Sequence, residues 1–187
     1  MLEFNILFKI LFLVIYVIIA LKLYYKKAKF EKYIIYAVLV VYIAVLINTL
    51  FFPIPIQSDM IQFLKGTKNK SYNLIPLLPM IHYTKIQIIG NIILLLMPLA
   101  FLMPFINYKY ISFRKNISLC AITSFCIEIT QLLVSLIYGF AYKICDINDF
   151  ILNVFGALIG YIFFKILLPI FKKDNHLFCE LPQHDFQ

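Results

Sequence analysis

Charge is what this chain has least of. Only 14% of its 187 residues are Asp, Glu, Lys or Arg, and 63% are hydrophobic, whereas soluble domains carry about 25% charged residues. That balance excludes a soluble globular domain. Acidic residues number nine, and a single arginine, Arg114, stands among seventeen basic residues. With one guanidinium there is almost no bidentate recognition of phosphates or base edges, so the net charge of +8 does not indicate nucleic acid. Tryptophan is missing, and the abundance of Ile, Lys, Asn, Phe and Tyr fits a bacterial genome rich in A and T. The four cysteines, Cys120, Cys126, Cys145 and Cys179, form no CxxC pair and read as free thiols. GxSxG, HExxH, the P-loop and GxGxxG are also absent, which excludes the familiar hydrolase, zinc-protease and nucleotide signatures. No cofactor is expected, and no spacing of acidic residues demands a metal.

What is present is apolar runs of membrane-spanning length, since about 20 residues cross a bilayer as a helix. Five are expected, at Phe4–Tyr24, Tyr33–Ile56, Ile86–Ile106, Asn116–Tyr138 and Phe150–Phe171, forming a single all-α membrane domain over residues 1–187. The first run has Glu3 before it and its lysine cluster after it, the reverse of a signal peptide, so it reads as an uncleaved span. The second contains no charge and stops at Pro53-Ile-Pro55. The third contains Pro98, where a bend is expected. With the N-terminus outside, eleven basic residues fall on the inner side, Lys22 to Lys32, Lys109 to Lys115 and Lys165 to Lys173, against six outside. The positive-inside rule therefore gives an N-outside, C-inside topology in a bacterial cytoplasmic membrane.

The longest loop, 57–85, has two parts. Ser58 is suited to cap a short helix that runs to Lys65 and ends at Gly66. Tyr72 to Met80 is apolar but proline-broken, and is expected at the outer interface or as a re-entrant segment. His82 is a lone loop histidine, and His176 and His184 sit in the inner tail.

Polar residues inside the spans carry the functional signal. A charge at the bilayer centre costs roughly 2.5–3.5 kcal/mol on insertion scales, so Glu128, midway along the fourth run, needs a partner or a proton. Cys120, Ser124, Glu128, Gln131 and Ser135 follow a 4, 4, 3, 4 spacing that puts them on one helix face. Asp146, Asp149, Asn153, Gly156 and Gly160 repeat the pattern on the fifth helix, acidic at its outer end and small further in. With Asn91 on the third span, these faces converge on one outward-facing polar pocket lined by Asn91, Glu128, Gln131, Asp149 and Asn153. Lys143 or a cationic ligand supplies the counter-charge for Glu128. Simpler readings stand beside this one: Asp146 and Asp149 as an ordinary helix N-terminus, Asn91 and Asn153 as interhelical hydrogen-bond glue, Glu128 with Gln131 as a structural polar pair, and Gly156-xxx-Gly160 as helix packing.

Four pieces in order resemble the VanZ-like family of bacterial membrane proteins, across a core of about residues 73–161: Asn73-Leu-Ile-Pro76; Gly90-Asn91 through Pro98; Ile127-Glu128-Ile-Thr-Gln131; and Asp146-Ile-Asn-Asp149 through Tyr161. Asn148 stands where an acidic residue is common in that family, and Lys143 where an arginine is expected. The resemblance implies a role at the cell envelope in lowering susceptibility to teicoplanin-type glycopeptide antibiotics.

Two function classes follow. One is a binding protein whose pocket, with Asn91, Glu128, Gln131, Lys143, Asp146, Asp149 and Asn153 as ligand-binding candidates, takes a lipid-linked cell-wall intermediate or a lipoglycopeptide. The other is a membrane enzyme with Glu128 or Asp149 as the catalytic general base acting on a lipid headgroup. A proton-coupled transporter is disfavoured, because one deep ionisable group makes no relay. Membrane lipids are the expected surroundings, and a second copy of the chain is a further candidate partner.

Overall fold

The computed structural model describes residues 4–54, 61–62, 65, 71–77 and 83–173. Among them, five helices are long and apolar enough to cross a membrane, as expected: α1 (Ile6–Tyr25), α2 (Phe30–Phe51), α3 (Lys85–Ile106), α4 (Phe113–Tyr138) and α5 (Ile147–Lys173). Two short strands, β1 (Tyr72–Asn73) and β2 (Cys145–Asp146), pair in parallel. Of the short helix expected from Ser58 to Lys65, the described residues Ile61, Gln62 and Lys65 are helical; Ser58, Gly66, Leu78 to Met80, His82 and the tail with His176, Cys179 and His184 lie outside the described residues.

Local chemistry sets the helix ends. The Asn5 side chain accepts the Leu7 amide at 3.1 Å to open α1, and Thr84 accepts that of Gln87 at 3.2 Å to open α3. Phe52 turns extended ahead of Pro53, so α2 stops short of the expected Ile56. Gly139 closes α4 with φ +74°, a left-handed conformation that glycine adopts without penalty. α4 begins at Phe113 and α5 at Ile147, each three residues before its apolar run.

α3 differs most from its expectation. The bend foreseen at Pro98 takes the form of a π-helical stretch, Gly90–Leu96, one turn upstream. Proline has no amide hydrogen, and its ring crowds the carbonyl four residues back, so the turn before Pro98 widens. Pro104 leaves the Ala100 carbonyl without its helical donor, and buried Asn116 of α4 supplies one at 3.0 Å. The Tyr42 hydroxyl of α2 donates to the Leu95 carbonyl in the widened segment, which fastens α2 to α3.

α5 is the most buried span and α1 the least; α1 packs on α2 and otherwise exposes apolar side chains such as Ile6, Leu13 and Ile18. The core gathers between α3, α4 and α5 around Leu96, Ala100, Cys120, Ala157 and Phe164. Lipid is as apolar as these side chains, so close packing and interhelical hydrogen bonds, rather than exclusion of water, hold them together. Gly156 and Gly160 lie directly on α3: a Cβ at either would fall within 3.0 Å of a carbonyl carbon, that of Ile92 or Met97. The small-residue face is thus covered by the chain's own third span and is not available to a second copy.

Candidate functional site

α4 continues ten residues past Glu128, about 15 Å at 1.5 Å per residue, before Gly139 turns the chain. The chain then comes back along the same helix. The Ser135 hydroxyl lies 2.5 Å from the Lys143 carbonyl and accepts its amide at 3.1 Å. By Asp146 the chain is level with Glu128, whose Oε2 accepts the Asp146 amide at 2.8 Å. The start of α5 is therefore drawn back beside the polar stripe of α4. All five stripe residues, Cys120, Ser124, Glu128, Gln131 and Ser135, are buried.

Asp146 is the hub of this junction. Its Oδ1 accepts the amide and the side-chain Nδ2 of Asn148, both at 2.9 Å. Its Oδ2 accepts Asn73 Nδ2 at 2.9 Å and the Tyr83 hydroxyl. The first of these bonds caps α5, so the capping role and the place at the site belong to the same carboxylate. Asn148 clasps the apolar segment of the long loop, accepting the Leu77 amide at 2.6 Å and donating to the Ile75 carbonyl at 3.0 Å. An aspartate there, the kind of residue the family resemblance leads one to expect, has no donor for Ile75. Leu77 is held at φ 65°, a conformation that costs a non-glycine residue roughly 1–2 kcal/mol. The segment 71–77 is thus fastened to α5 and β2, with the Ile75 and Leu77 amides and the Ser71 and Ile75 carbonyls satisfied by protein.

Beside this junction lies a cavity of about 450 Å³. Asn91, Glu128, Gln131, Lys143, Asp146, Asp149 and Asn153 all line it. Asn91, in the π-helical stretch, donates to Asp149 Oδ1 at 2.6 Å. Asn153, one turn further into α5, donates to Ser124 Oγ at 3.0 Å, while its own Oδ1 is buried without a partner. Each asparagine therefore does link two helices while facing the cavity. Three carboxylates line this space, yet among the described residues no basic side chain pairs with any of them. The Lys143 ammonium is directed to the Tyr142 ring, 5.9 Å from its centroid. Burial lowers the pKa of Lys143; burial first, and then the bond to Asp146, raise that of Tyr83.

Several contributors escape a reading of the sequence. Tyr83 has no periodic neighbour to mark it. Tyr142 lines the cavity and sets its hydroxyl 2.6 Å from the Phe51 carbonyl and 2.8 Å from that of Pro53, meeting carbonyls left open where α2 ends. Gln87 was within reach, since it precedes Asn91 by four residues on the same face. The wall from α2, Thr49 and Leu50, carries no sequence signal.

The arrangement offers a carboxylate-lined, acceptor-rich recess in a helical membrane bundle, suited to a cationic or hydroxyl-bearing group. No curated protein and no solved structure matches the chain. One family model does, over residues 33–168, a stretch that includes α2 except its first three residues, α3, α4, both strands, every cavity-lining residue and most of α5. The chain is therefore a multi-pass membrane protein that belongs to the VanZ/LLP1 family.

Proposed function

We propose that this protein acts at the bacterial cell envelope, with its N-terminus outside and its C-terminus inside, and that its cavity opens outward to receive the polar head of a lipid-linked or lipoglycopeptide ligand. Its effect is to lower susceptibility to teicoplanin-type glycopeptides. One observation supports the binding site above all: Glu128, Asp146 and Asp149 line one cavity with no basic partner among the described residues. Uncompensated carboxylates inside a bundle are expensive, and a cationic ligand offsets that cost.

The test is teicoplanin and vancomycin susceptibility in a strain lacking the gene, complemented with wild type, Glu128→Ala or Asp149→Ala at matched protein levels. Protection by wild type and not by the folded variants is the expected result. Equal behaviour of all three removes the functional assignment. The enzyme reading draws on the same two carboxylates, since Glu128 Oε1 and Asp149 Oδ2 accept no bond from any described residue. It predicts that purified protein alters an envelope lipid, and that Glu128→Gln still binds this lipid but leaves it unchanged.

A further inference from the structure

The cavity's acceptors are unequally engaged, and the imbalance specifies a ligand more narrowly than charge does. Asp146 has both oxygens filled by four donors, so it belongs to the scaffold. Glu128 and Asp149 each use one oxygen and keep one, Oε1 and Oδ2, without a donor among the described residues. Asn153, 1% exposed, keeps its amide oxygen buried and unpartnered. Such an atom is rare in folded proteins. Three cavity-lining residues from two helices thus leave three acceptor oxygens without a donor, and two carboxylates without a basic partner, among the described residues.

We propose that the cavity binds a primary ammonium group, carried by the headgroup of a membrane lipid, with Glu128 and Asp149 supplying the charge and Asn153 the third acceptor. This rests on the reading of the cavity as a working site. An alkylammonium has three N–H donors and no acceptor, which matches three free oxygens. A quaternary ammonium has no N–H to give these oxygens, and of the aromatic residues that could receive it the cavity has two, Tyr83 and Tyr142, so the choline lipid is the direct comparison. A metal ion is not favoured, because among the described residues no three His, Cys, Asp or Glu side chains are grouped to hold one. At about 450 Å³ the space is near the lower end of the 300–1,000 Å³ typical of drug-sized ligands, roughly. It takes a headgroup and not a whole glycopeptide.

The experiment uses the full chain in detergent and follows the temperature at which half of it leaves the monodisperse fraction. Short-chain phosphatidylethanolamine, short-chain phosphatidylcholine and free ethanolamine are titrated separately, since a ligand that binds only the folded state raises that temperature. The ethanolamine lipid is expected to half-saturate at a concentration at least tenfold below the choline lipid. Asp149→Asn keeps an acceptor for Asn91 but loses the charge, and is expected to raise the half-saturating concentration at least tenfold. Asn153→Leu is expected to do the same; its ligand-free temperature reflects the loss of the bond to Ser124, offset in part by the removal of an unsatisfied buried acceptor, so its binding is read against its own ligand-free value.

Free ethanolamine acting as well as the lipid supports the ammonium chemistry and assigns its source to a soluble amine. Three results overturn the proposal: equal shifts with choline and ethanolamine lipids, no shift with the ethanolamine lipid, or a shift that survives both substitutions. Loss of antibiotic protection in Asp149→Ala without any amine response leaves a working cavity of another specificity. An amine response with antibiotic protection intact has the opposite meaning.

Discussion

Substituting Gly156 by alanine places one methyl group where the structure has none to spare. The added carbon would sit 2.9 Å from the Ile92 carbonyl carbon and 3.1 Å from its Cα, and closer still to its oxygen. Carbon contacts are comfortable at about 3.5–4.0 Å. The obstacle is helix backbone, which has no rotamer to change, so α3 and α5 must separate by about 1 Å to restore that spacing. Overpacking of this kind costs about 1–3 kcal/mol, here at the upper end, and alanine's advantage over glycine in a helix returns about 0.5–1 kcal/mol. A net loss near 2 kcal/mol is expected. The damage reaches the cavity, because Asn91 precedes Ile92 and its 2.6 Å bond to Asp149 lengthens to roughly 3.6 Å, beyond hydrogen-bond range. Gly90→Ala is the control, since nothing lies within 4 Å of a Cβ there. The chain has no tryptophan, so the assay is heat-induced loss from the monodisperse fraction rather than intrinsic indole fluorescence. The reasoning fails if Gly156→Ala is as stable as wild type, or if Gly90→Ala loses as much.

Asn116→Leu removes the donor that Ala100 receives in place of the missing Pro104 amide, and a second one to Tyr110. The same assay is expected to register a loss of about 1–3 kcal/mol, and an unchanged midpoint would contradict the repair role. Asn148→Asp keeps an acceptor for Leu77 but loses the donor to Ile75; amide hydrogen exchange of residues 71–77 is expected to quicken while α4 stays protected. Tyr83 has its pKa raised above the ordinary 10.0, by burial first and by its bond to Asp146. A raised pKa gives stability that is complete below pH 10 and lost as pH rises above it. The stability difference between wild type and Tyr83→Phe is therefore expected to hold steady through neutral pH and to shrink in strong alkali, whereas a difference that changes around neutrality points to another group.

The five spans were legible because lipid imposes a length and a composition that a sequence cannot disguise. The polar stripe on α4 was legible for a related reason: Ser124, Glu128 and Gln131 recur at helical spacing in an apolar run, where every polar residue is costly. Asn153 and Asp149 follow the same logic on α5. The loops carry no such period. Nothing in the order Tyr72-Asn73 announces a parallel pairing with Cys145-Asp146, and Tyr83 joins Asp146 only because the chain after Gly139 doubles back along α4. Pro98 signalled a disturbance in α3, but whether it becomes a kink or a widened turn depends on neighbours such as Tyr42, whose hydroxyl reaches the Leu95 carbonyl from α2. Asn148 looked like a departure from the family pattern, and its purpose appears only with Ile75 and Leu77 in place.

The proposed function requires a water-accessible polar cavity that opens to the outside of a membrane-embedded bundle, and cysteine labelling in intact cells tests it most directly. Gln131→Cys places a thiol on the cavity wall, whereas the native Cys126 is exposed on the outer face of α4, where lipid denies it the water that a reactive thiolate needs. Two chains are compared, one carrying Gln131→Cys with all native cysteines replaced and one retaining Cys126 alone. A membrane-impermeant maleimide is predicted to modify the first from outside the cell and to leave the second unmodified. Modification of position 131 only in inverted vesicles would contradict the outward opening, and no modification from either side would contradict a water-accessible cavity.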